Sequence, residues 1–387
     1  MLSQSMKCYY LWLLAAVISS CAPHHSASRL AFPTPQKESK EDLLHQARYW
    51  VTTEGRAAAR DRLAEAIEKQ DSSGGGFEQR VITANGDKTK VFANSLATLS
   101  PDERKKIGVY FVLGYNQNRG KSPPIIMKTA EHVRQLGYRA KYIDMAPRQT
   151  AQQDAERIAQ VLREDLPKVD RAILVGFSKG STDLVHFWLD QAHQLPKAEL
   201  KKIKLWVNFA GGLRGSAIAR WGAVGNDPMA WGFRCFLNWR EGEPSLKQDD
   251  LVSIGHDQWA KTGAKLPKGV RGQLTVINYV SLPDGKDGWA TMDQHVNLLG
   301  RSAVKEFPHI GPCDGLMETA SSILPPNTGL RQWVVRVYGS HSLPGGKYPN
   351  GKYVASKYHQ GGRARLQSGA QLMDDFLRAA PKSLVLD

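Results

Sequence analysis

The sequence lacks the motifs that mark several large functional classes. Its 387 residues contain no His-Glu-x-x-His motif and no other closely spaced set of metal ligands. The serine and glycine run at 72–76 is not followed by the Lys-Ser/Thr pair of a phosphate-binding P-loop, and it is typical of a linker. Lysine and arginine are scattered rather than gathered in a block with aromatic residues, unlike a nucleic-acid-binding patch. We therefore expect no metal, no cofactor and no nucleic-acid partner.

Long apolar runs are also missing, except near the start of the chain. After Lys7 comes the apolar run 9–18, which is too short for a stable spanning helix and predicts a signal peptide over residues 1–20. Ile18-Ser19-Ser20-Cys21 resembles the bacterial lipobox, whose cysteine is lipidated and becomes the mature N-terminus. We therefore expect a lipid anchor on Cys21 and a place in the bacterial cell envelope. Plain signal cleavage with an incidental cysteine is the alternative.

Cysteine is scarce, at four residues. Cys8 lies in the predicted signal peptide and Cys21 is the expected lipid site, which leaves Cys235 and Cys313. An even pair in an oxidising compartment predicts a Cys235–Cys313 disulfide, with two buried free thiols as the alternative.

The sequence carries an excess of positive charge. The 52 Lys and Arg residues outnumber 37 Asp and Glu, which gives a formal net charge of +15. Such a surplus attracts anionic surfaces such as lipid headgroups, although a solvated basic surface that keeps the protein soluble is the favoured explanation. The hydrophobic share of 41% is that of an ordinary globular chain, and the length permits one large domain or two ordinary ones.

The order of apolar patterns predicts an α/β protein. Residues 21–38 are polar and proline-containing, as in a flexible tether, and 39–76 form a helical extension with two helices across 40–70. The turn pair Asn85-Gly86 within Phe77–Ala93 predicts a β-hairpin that supplies the first antiparallel strands. From residue 107 strands and helices alternate, which predicts one domain over 77–387 built on a mostly parallel sheet with helices on both faces. The strands are predicted at 107–113, 139–143, 171–175, 203–209, 273–280 and 332–338.

A long insertion without clear periodicity occupies about 212–270. A segment of this length in this position is usually functional. Its aromatic residues either cap an apolar substrate cleft, as a lid would, or pack the insertion onto the sheet. These residues are Trp221, Trp231, Phe233, Phe236 and Trp239.

The segment Gly176-Phe177-Ser178-Lys179-Gly180 matches the G-x-S-x-G pattern of a nucleophile elbow. It follows the buried run 172–175 and opens a helix, which is the context that the elbow requires. The tight turn excludes bulky flanking residues and projects the serine oxygen at the carboxyl end of the strand. There the helix N-terminus favours a developing anion. An ordinary strand–turn–helix glycine pair is the alternative.

A serine nucleophile needs a general base and a carboxylate that orients it. His341 follows the last predicted strand, the position of a loop-borne base, whereas the other downstream histidines fit less well. Two Asp-Gly pairs are candidates for the acid. Asp284 comes directly after a predicted strand, in the simplest position, and Asp314 lies later, before His341. Either aspartate also fits a plain turn.

Several of these features together resemble bacterial triacylglycerol lipases and related esterases of the α/β-hydrolase superfamily. They are the elbow at Ser178, the Ala-Gly-Gly-Leu-Arg-Gly-Ser segment at 210–216, the insertion, the late Asp314-Gly315-Leu316 and the loop histidine. The resemblance spans residues 107–345. In those lipases the acid lies in an Asn-Asp-Gly-Val-like turn shortly before the histidine, which favours Asp314 over Asp284. The chain departs from the family at Leu113-Gly114, where lipases have His-Gly, and at Lys179.

The resemblance implies an α/β-hydrolase fold with a lid-like insertion and hydrolysis of carboxylic esters or lipids. Ser178, His341 and Asp314 would form the triad, with an acyl-enzyme intermediate. The backbone N–H groups of Lys179 and Tyr115 would form the oxyanion hole, while the Lys179 side chain is expected to reach solvent. An acyltransferase with the same triad and a catalytically silent binding lipoprotein of the envelope are the alternatives. We expect a monomer that contacts the membrane through its lipid anchor.

Overall fold

The computed structural model describes most of the chain after the predicted tether. The predicted signal peptide, Cys21, Tyr115 and Cys235 lie outside the described residues. No helix in the described part of the chain is long and apolar enough to cross a membrane. The described residues are 35, 42–112, 125–145, 149–225, 228–233, 248–260, 264–285, 287, 289, 294–341, 343, 346–354 and 362–387.

A six-stranded sheet forms the centre of the protein. All adjacent strands pair in parallel, in the order β2-β1-β3-β4-β5-β6. Each strand lies within two residues of its predicted bounds, so the predicted parallel α/β sheet is confirmed. The strands are β1 (Ile107–Val112), β2 (Arg139–Ile143), β3 (Arg171–Phe177), β4 (Ile203–Phe209), β5 (Thr275–Leu282) and β6 (Arg331–Tyr338).

Helices cover both faces of the sheet, because the central strands are apolar on both sides. Side chains alternate between faces along a strand, so Val175 of β3 belongs to one core and Leu174 to the other. The Val175 face packs against the helices Gly76–Gly86, Ile125–Gln135 and Gly362–Ala379. The Leu174 face packs against Ala151–Asp165 and Lys179–His186. Further α-helices outside the N-terminal segment include Pro101–Lys105, Lys197–Leu200, Ala217–Val224, Gln248–Gly255, Gln294–Glu306 and Ser383–Leu386.

The predicted hairpin after residue 77 is wrong, because this segment begins as the helix Gly76–Gly86. Phe77 and Val81, one helical turn apart, are buried in the core beside the C-terminal helix. Asn85 does not form a hairpin turn; its buried amide donates to Val354 O at 2.9 Å and to the Asp375 carboxylate at 2.7 Å. Helical spacing of buried residues therefore outweighs the local Asn-Gly turn signal.

Two helices form where the sequence predicts them before the glycine-rich run, Leu43–Glu54 and Arg56–Gln70. Asp42 caps the first helix by accepting the His45 N–H at 3.0 Å. Gly55 joins the two helices with a φ of +87°, a conformation that favours glycine. We call this pair the N-terminal hairpin. It packs on β5 and β6 through buried residues of both helices.

Part of the insertion packs onto the rest of the domain. Trp221 is fully buried and stacks on Phe233 at 6.3 Å, in a cluster that includes Phe307 after the helix Gln294–Glu306. Trp231 is 41% exposed. Phe236 and Trp239 lie outside the described residues. The packing interpretation therefore holds for Trp221 and Phe233, and the lid interpretation stays a prediction for the remainder.

Candidate active site

Ser178 lies at a sharp turn between β3 and the helix Lys179–His186. Its φ of +50° and ψ of −120° form a conformation that residues with a side chain rarely adopt. Such a conformation costs about 1–3 kcal/mol and persists only where the surroundings hold it. Here the Ser178 N–H donates to Phe209 O at 3.2 Å, and the Ser181 N–H donates to Ser178 O at 3.0 Å.

Two glycines make room for this turn. A Cβ on Gly176, at the end of β3, would lie 2.7 Å from the Oγ and 2.8 Å from the Cα of Ser181. A Cβ on Gly211 would overlap the side chain of Ser181 from the other side. The first turn of the helix Lys179–His186 therefore approaches β3 and the segment after β4 closely only because Gly176 and Gly211 lack a side chain. A strained serine at the carboxyl end of a central parallel strand, followed directly by a helix, has the backbone geometry of a nucleophile elbow.

The chain has an α/β-hydrolase fold. Its strand order, the helices on both faces and the elbow after β3 agree with the fold expected from the sequence. In this fold the nucleophile is followed along the chain by an acid and then by a histidine.

The structure brings Ser178, Asp314 and His341 together. The Nε2 atom of His341 lies 2.7 Å from the Oγ of Ser178, and its Nδ1 atom lies 3.0 Å from an Asp314 carboxylate oxygen. An ionised carboxylate can only accept, so the Nδ1–H donates to Asp314. The Nε2 atom then carries the lone pair that accepts the Ser178 hydroxyl proton.

The Asp314 carboxylate is fixed by its own loop. Its Oδ1 atom accepts the N–H groups of Leu316 and Met317 at 3.0 and 2.8 Å. The His341 N–H donates to Asp314 O at 3.0 Å, so the two loops are also joined through their backbones. Asp314 is buried, whereas the His341 side chain keeps 11% of its surface exposed. The structure therefore places Asp314, and not Asp284, against the imidazole.

The first turn of the helix after Ser178 carries a backbone N–H group of the kind that an oxyanion hole requires. Lys179 is the first residue of that helix, so its backbone N–H has no acceptor within the helix. The helix N-terminus also favours negative charge. Tyr115, the other predicted oxyanion residue, lies outside the described residues.

The expectation that the Lys179 side chain reaches solvent is wrong. Lys179 is only 5% exposed, and its ammonium group pairs with Asp183 at 2.8 Å and with Asp154 of the helix Ala151–Asp165. Burial lowers the pKa of Lys179, but the two carboxylates more than offset this and raise it. Burial also raises the pKa of Asp183 well above its usual value and that of Asp154 less strongly. These two carboxylates allow a lysine to be buried at this position.

The predicted disulfide is not formed, because Cys313 is a free, buried thiol. Its Sγ atom packs so closely on the helix Gln294–Glu306 that a Cβ on Gly300 would lie 3.1 Å from it. Burial raises the pKa of the Cys313 thiol to about 12, so it is not a reactive thiolate. Among the described residues, no three His, Cys, Asp or Glu side chains are grouped to hold a metal ion.

Sequence reasoning missed the residues that hold the Asp314 loop. Glu318 is buried and receives a bidentate contact from Arg48 of the N-terminal hairpin. Because Arg48 and Glu318 are 270 positions apart, no local spacing pattern connects them. Asp154, a buried partner of Lys179 on another helix, was missed for the same reason, whereas Asp183 lies four residues after Lys179 on the same helix.

Comparisons with known proteins give similarities of fold only. No protein-family model matches this chain, and no curated protein matches it. The metagenomic carboxyl esterase MGS0156 is similar in structure at a TM-score of 0.46, with 15% identity over 71% of this chain and 75% of that chain. The mature lipase BlEst2 of Bacillus licheniformis gives a TM-score of 0.42, with 17% identity over 61% of this chain and 85% of its own.

A more distant similarity is to the phospholipase PlaB of Legionella pneumophila in complex with thio-NAD. Its TM-score is 0.35, with 15% identity over 56% of this chain and 44% of that protein. At these TM-scores the similarities carry no argument about chemistry, which therefore has to come from the site itself.

Proposed function

We propose that this chain is a serine hydrolase of carboxylic esters, acting through an acyl-enzyme formed on Ser178. The observation that carries the proposal is the 2.7 Å contact between Ser178 Oγ and His341 Nε2 at the strained elbow. A serine hydroxyl that only stabilised the fold would not need this backbone conformation. The aspartate behind the imidazole completes the set of groups that activates a serine.

Each group has a defined role in this mechanism. Ser178 Oγ attacks the ester carbonyl carbon while its proton moves to His341 Nε2. The carbonyl oxygen becomes an oxyanion that accepts the Lys179 N–H at the helix N-terminus. His341 then gives its proton to the leaving alkoxide, and Asp314 stabilises the imidazolium in between. Water repeats the sequence on the acyl-enzyme and releases the acid.

The substrate class is an acyl ester or a lipid, and the place of action is the cell envelope. The lipobox-like Ile18-Ser19-Ser20-Cys21 supports a lipid anchor on Cys21. A net charge of +15 favours approach to anionic lipid headgroups.

Ester hydrolysis by the purified chain tests the proposal. The protein without residues 1–21 is assayed on p-nitrophenyl esters of increasing acyl length, beside the Ser178→Ala variant. We expect turnover by the wild type and a loss of at least about 10³-fold in kcat/KM in the variant. Retention of the full rate by Ser178→Ala would show that another group does the chemistry. Product analysis with added glycerol separates hydrolysis from transfer of the acyl group to an alcohol.

A further inference from the structure

The loop that carries Asp314 is closed at its neck. Cys313 and Glu318 form an isolated antiparallel bridge, and the Thr319 N–H donates to Pro312 O at 2.9 Å. Inside the loop, the Asp314 N–H donates to Met317 O at 3.0 Å. The loop is therefore closed on itself, and we expect its attachment to the domain to decide where the Asp314 carboxylate lies.

Glu318 provides one attachment. Its Oε1 atom accepts the Gly311 N–H at 2.9 Å, and Arg48 donates to Oε1 at 2.9 Å and to Oε2 at 2.6 Å. A bidentate guanidinium–carboxylate contact fixes direction as well as distance. Burial raises the pKa of Glu318, but Arg48 more than offsets this and lowers it, so the carboxylate is ionised and paired.

A second arginine of the N-terminal hairpin contacts Gly311, the residue whose N–H donates to Glu318. Arg56 donates to Gly311 O at 2.8 Å, while the Gly311 N–H is held through Glu318. Both backbone polar groups of Gly311 are thus attached to the N-terminal hairpin, one directly and one through Glu318.

The first helix of the hairpin is itself held in place at its start. Its cap, Asp42, accepts two hydrogen bonds from Arg214 at 2.5 and 2.8 Å. Arg214 also pairs with Asp257 of the insertion at 2.6 Å. The backbone N–H of Arg214 donates to Ser321 O, just after the Asp314 loop. Burial raises the pKa of Asp42, but Arg214 outweighs it and lowers the pKa to about 2, as expected for a close pair.

We propose that Arg48 and Glu318 are positioning residues that hold the Asp314 loop where its carboxylate meets His341. The inference rests on the proposed function, and it gives one contact of the N-terminal hairpin, between Arg48 and Glu318, a part in positioning the acid. A buried ion pair is often no more stabilising than apolar residues of the same volume, so stability alone does not account for it. The fixed geometry of this ion pair at the neck of the Asp314 loop accounts for it by a role in positioning.

Apolar replacements separate positioning from stability. Arg48→Met leaves the Glu318 charge buried without its partner, so we expect a marked fall in Tm. The double variant Arg48→Met/Glu318→Met removes both charges, and we expect its Tm to recover above that of the single variant. The matched control is Arg62→Met, which removes from the same hairpin an arginine whose side chain is 44% exposed and pairs with Glu54.

The readout is kcat and KM on a p-nitrophenyl ester, normalised to the protein that a fluorophosphonate titrates. We expect Arg48→Met and the double variant Arg48→Met/Glu318→Met to lose about 10–100-fold in kcat, with little change in KM. A displacement of the Asp314 carboxylate by about 1 Å has an effect of that size. The slow rate should persist in the double variant although its stability recovers. Arg62→Met should keep the wild-type kcat.

Two outcomes would overturn the inference. One is a wild-type kcat per titrated site in Arg48→Met, and the other is recovery of kcat together with Tm in the double variant. Either result would leave Arg48 and Glu318 with a structural role only. Failure of the wild type to hydrolyse esters or to react with the fluorophosphonate would instead count against the proposed function.

Discussion

The Asp314 carboxylate meets His341 with one oxygen, at 3.0 Å from Nδ1. Its other oxygen is occupied by the N–H groups of Leu316 and Met317. The hydrogen bonds within the loop therefore orient the Asp314 carboxylate independently of its contact with the imidazole. This arrangement fixes which nitrogen of His341 carries the proton, and it makes the effect of an amide at position 314 predictable.

Asp314→Asn should keep the fold and lose most of the activity. The two backbone N–H groups select the amide oxygen, which leaves the Asn NH₂ pointing at the imidazole. Nδ1 must then accept, so Nε2 carries the proton and cannot take one from Ser178. We expect kcat to fall by about 10⁴-fold. Steady-state kinetics on a p-nitrophenyl ester measure this.

Asp284→Asn is the matched control for that substitution, since it follows β5 and was the other candidate acid. It should keep a kcat within a few fold of the wild type. If Asp284→Asn were the inactive variant and Asp314→Asn the active one, the assignment of the acid would be reversed.

The close approach of Ser181 to two glycines predicts a selective rescue. Gly211→Ala and Gly176→Ala should each disrupt the elbow and lower both Tm and activity, because the new Cβ meets Ser181. Adding Ser181→Gly should rescue Gly211→Ala, whose clash is with the Ser181 side chain. It should not rescue Gly176→Ala, because the Cα and N of Ser181 remain 2.8 and 2.9 Å away.

Thermal unfolding and ester hydrolysis of the four variants test this pattern. Ser181→Gly alone costs about 1 kcal/mol as a glycine in a helix, so it is the reference for both double variants. Equal rescue of both alanine variants, or of neither, would show that the packing around Ser181 is not what constrains the elbow.

The buried charged groups around Lys179 should make the free energy of unfolding decrease as pH rises. Burial raises the pKa of Asp183 well above its ordinary 3.8, so the folded protein keeps a proton that the unfolded chain releases. The unfolded state then binds fewer protons, and the free energy of unfolding decreases as pH rises from about 3.8 to the folded pKa. Asp183→Asn carries no such proton and should lose less stability over that window.

Urea unfolding at a series of pH values measures this difference. The gap between Asp183→Asn and the wild type should grow with pH in favour of the variant. Asp102→Asn, at a carboxylate whose side chain is 88% exposed, serves as the control and should follow the wild type. Parallel curves for Asp183→Asn and the wild type would mean that Asp183 ionises as readily in the folded state as in the unfolded one.

The sheet and the strained turn at Ser178 could be predicted because their signals are local. Continuous apolar runs marked the buried strands, and the elbow motif needs only a strand before it and a helix after it. The capping box of Thr150 and Gln153, which begins the helix Ala151–Asp165, is a local signal of the same kind.

The errors arose where distant contacts decide the structure. Asn85-Gly86 has the local signature of a hairpin, but burial of Phe77 and Val81 at helical spacing decides for a helix. The two Asp-Gly turns look alike in sequence, and the preference for Asp314, which lies 3.0 Å from His341, came from the resemblance to lipases and not from a local signal. A lysine beside the nucleophile suggests a solvated charge unless Asp154, on another helix, is known to lie next to it.

Covalent labelling of Ser178 is the most direct measurement of the central claim, that this hydroxyl is activated by His341. The intact protein is treated with a fluorophosphonate, and the modified residue is identified by peptide mass mapping. We predict a single adduct on Ser178 and a rate of labelling lowered by orders of magnitude in a folded His341→Ala variant. An adduct on another serine, no adduct on the folded wild type, or equal labelling of His341→Ala would contradict it.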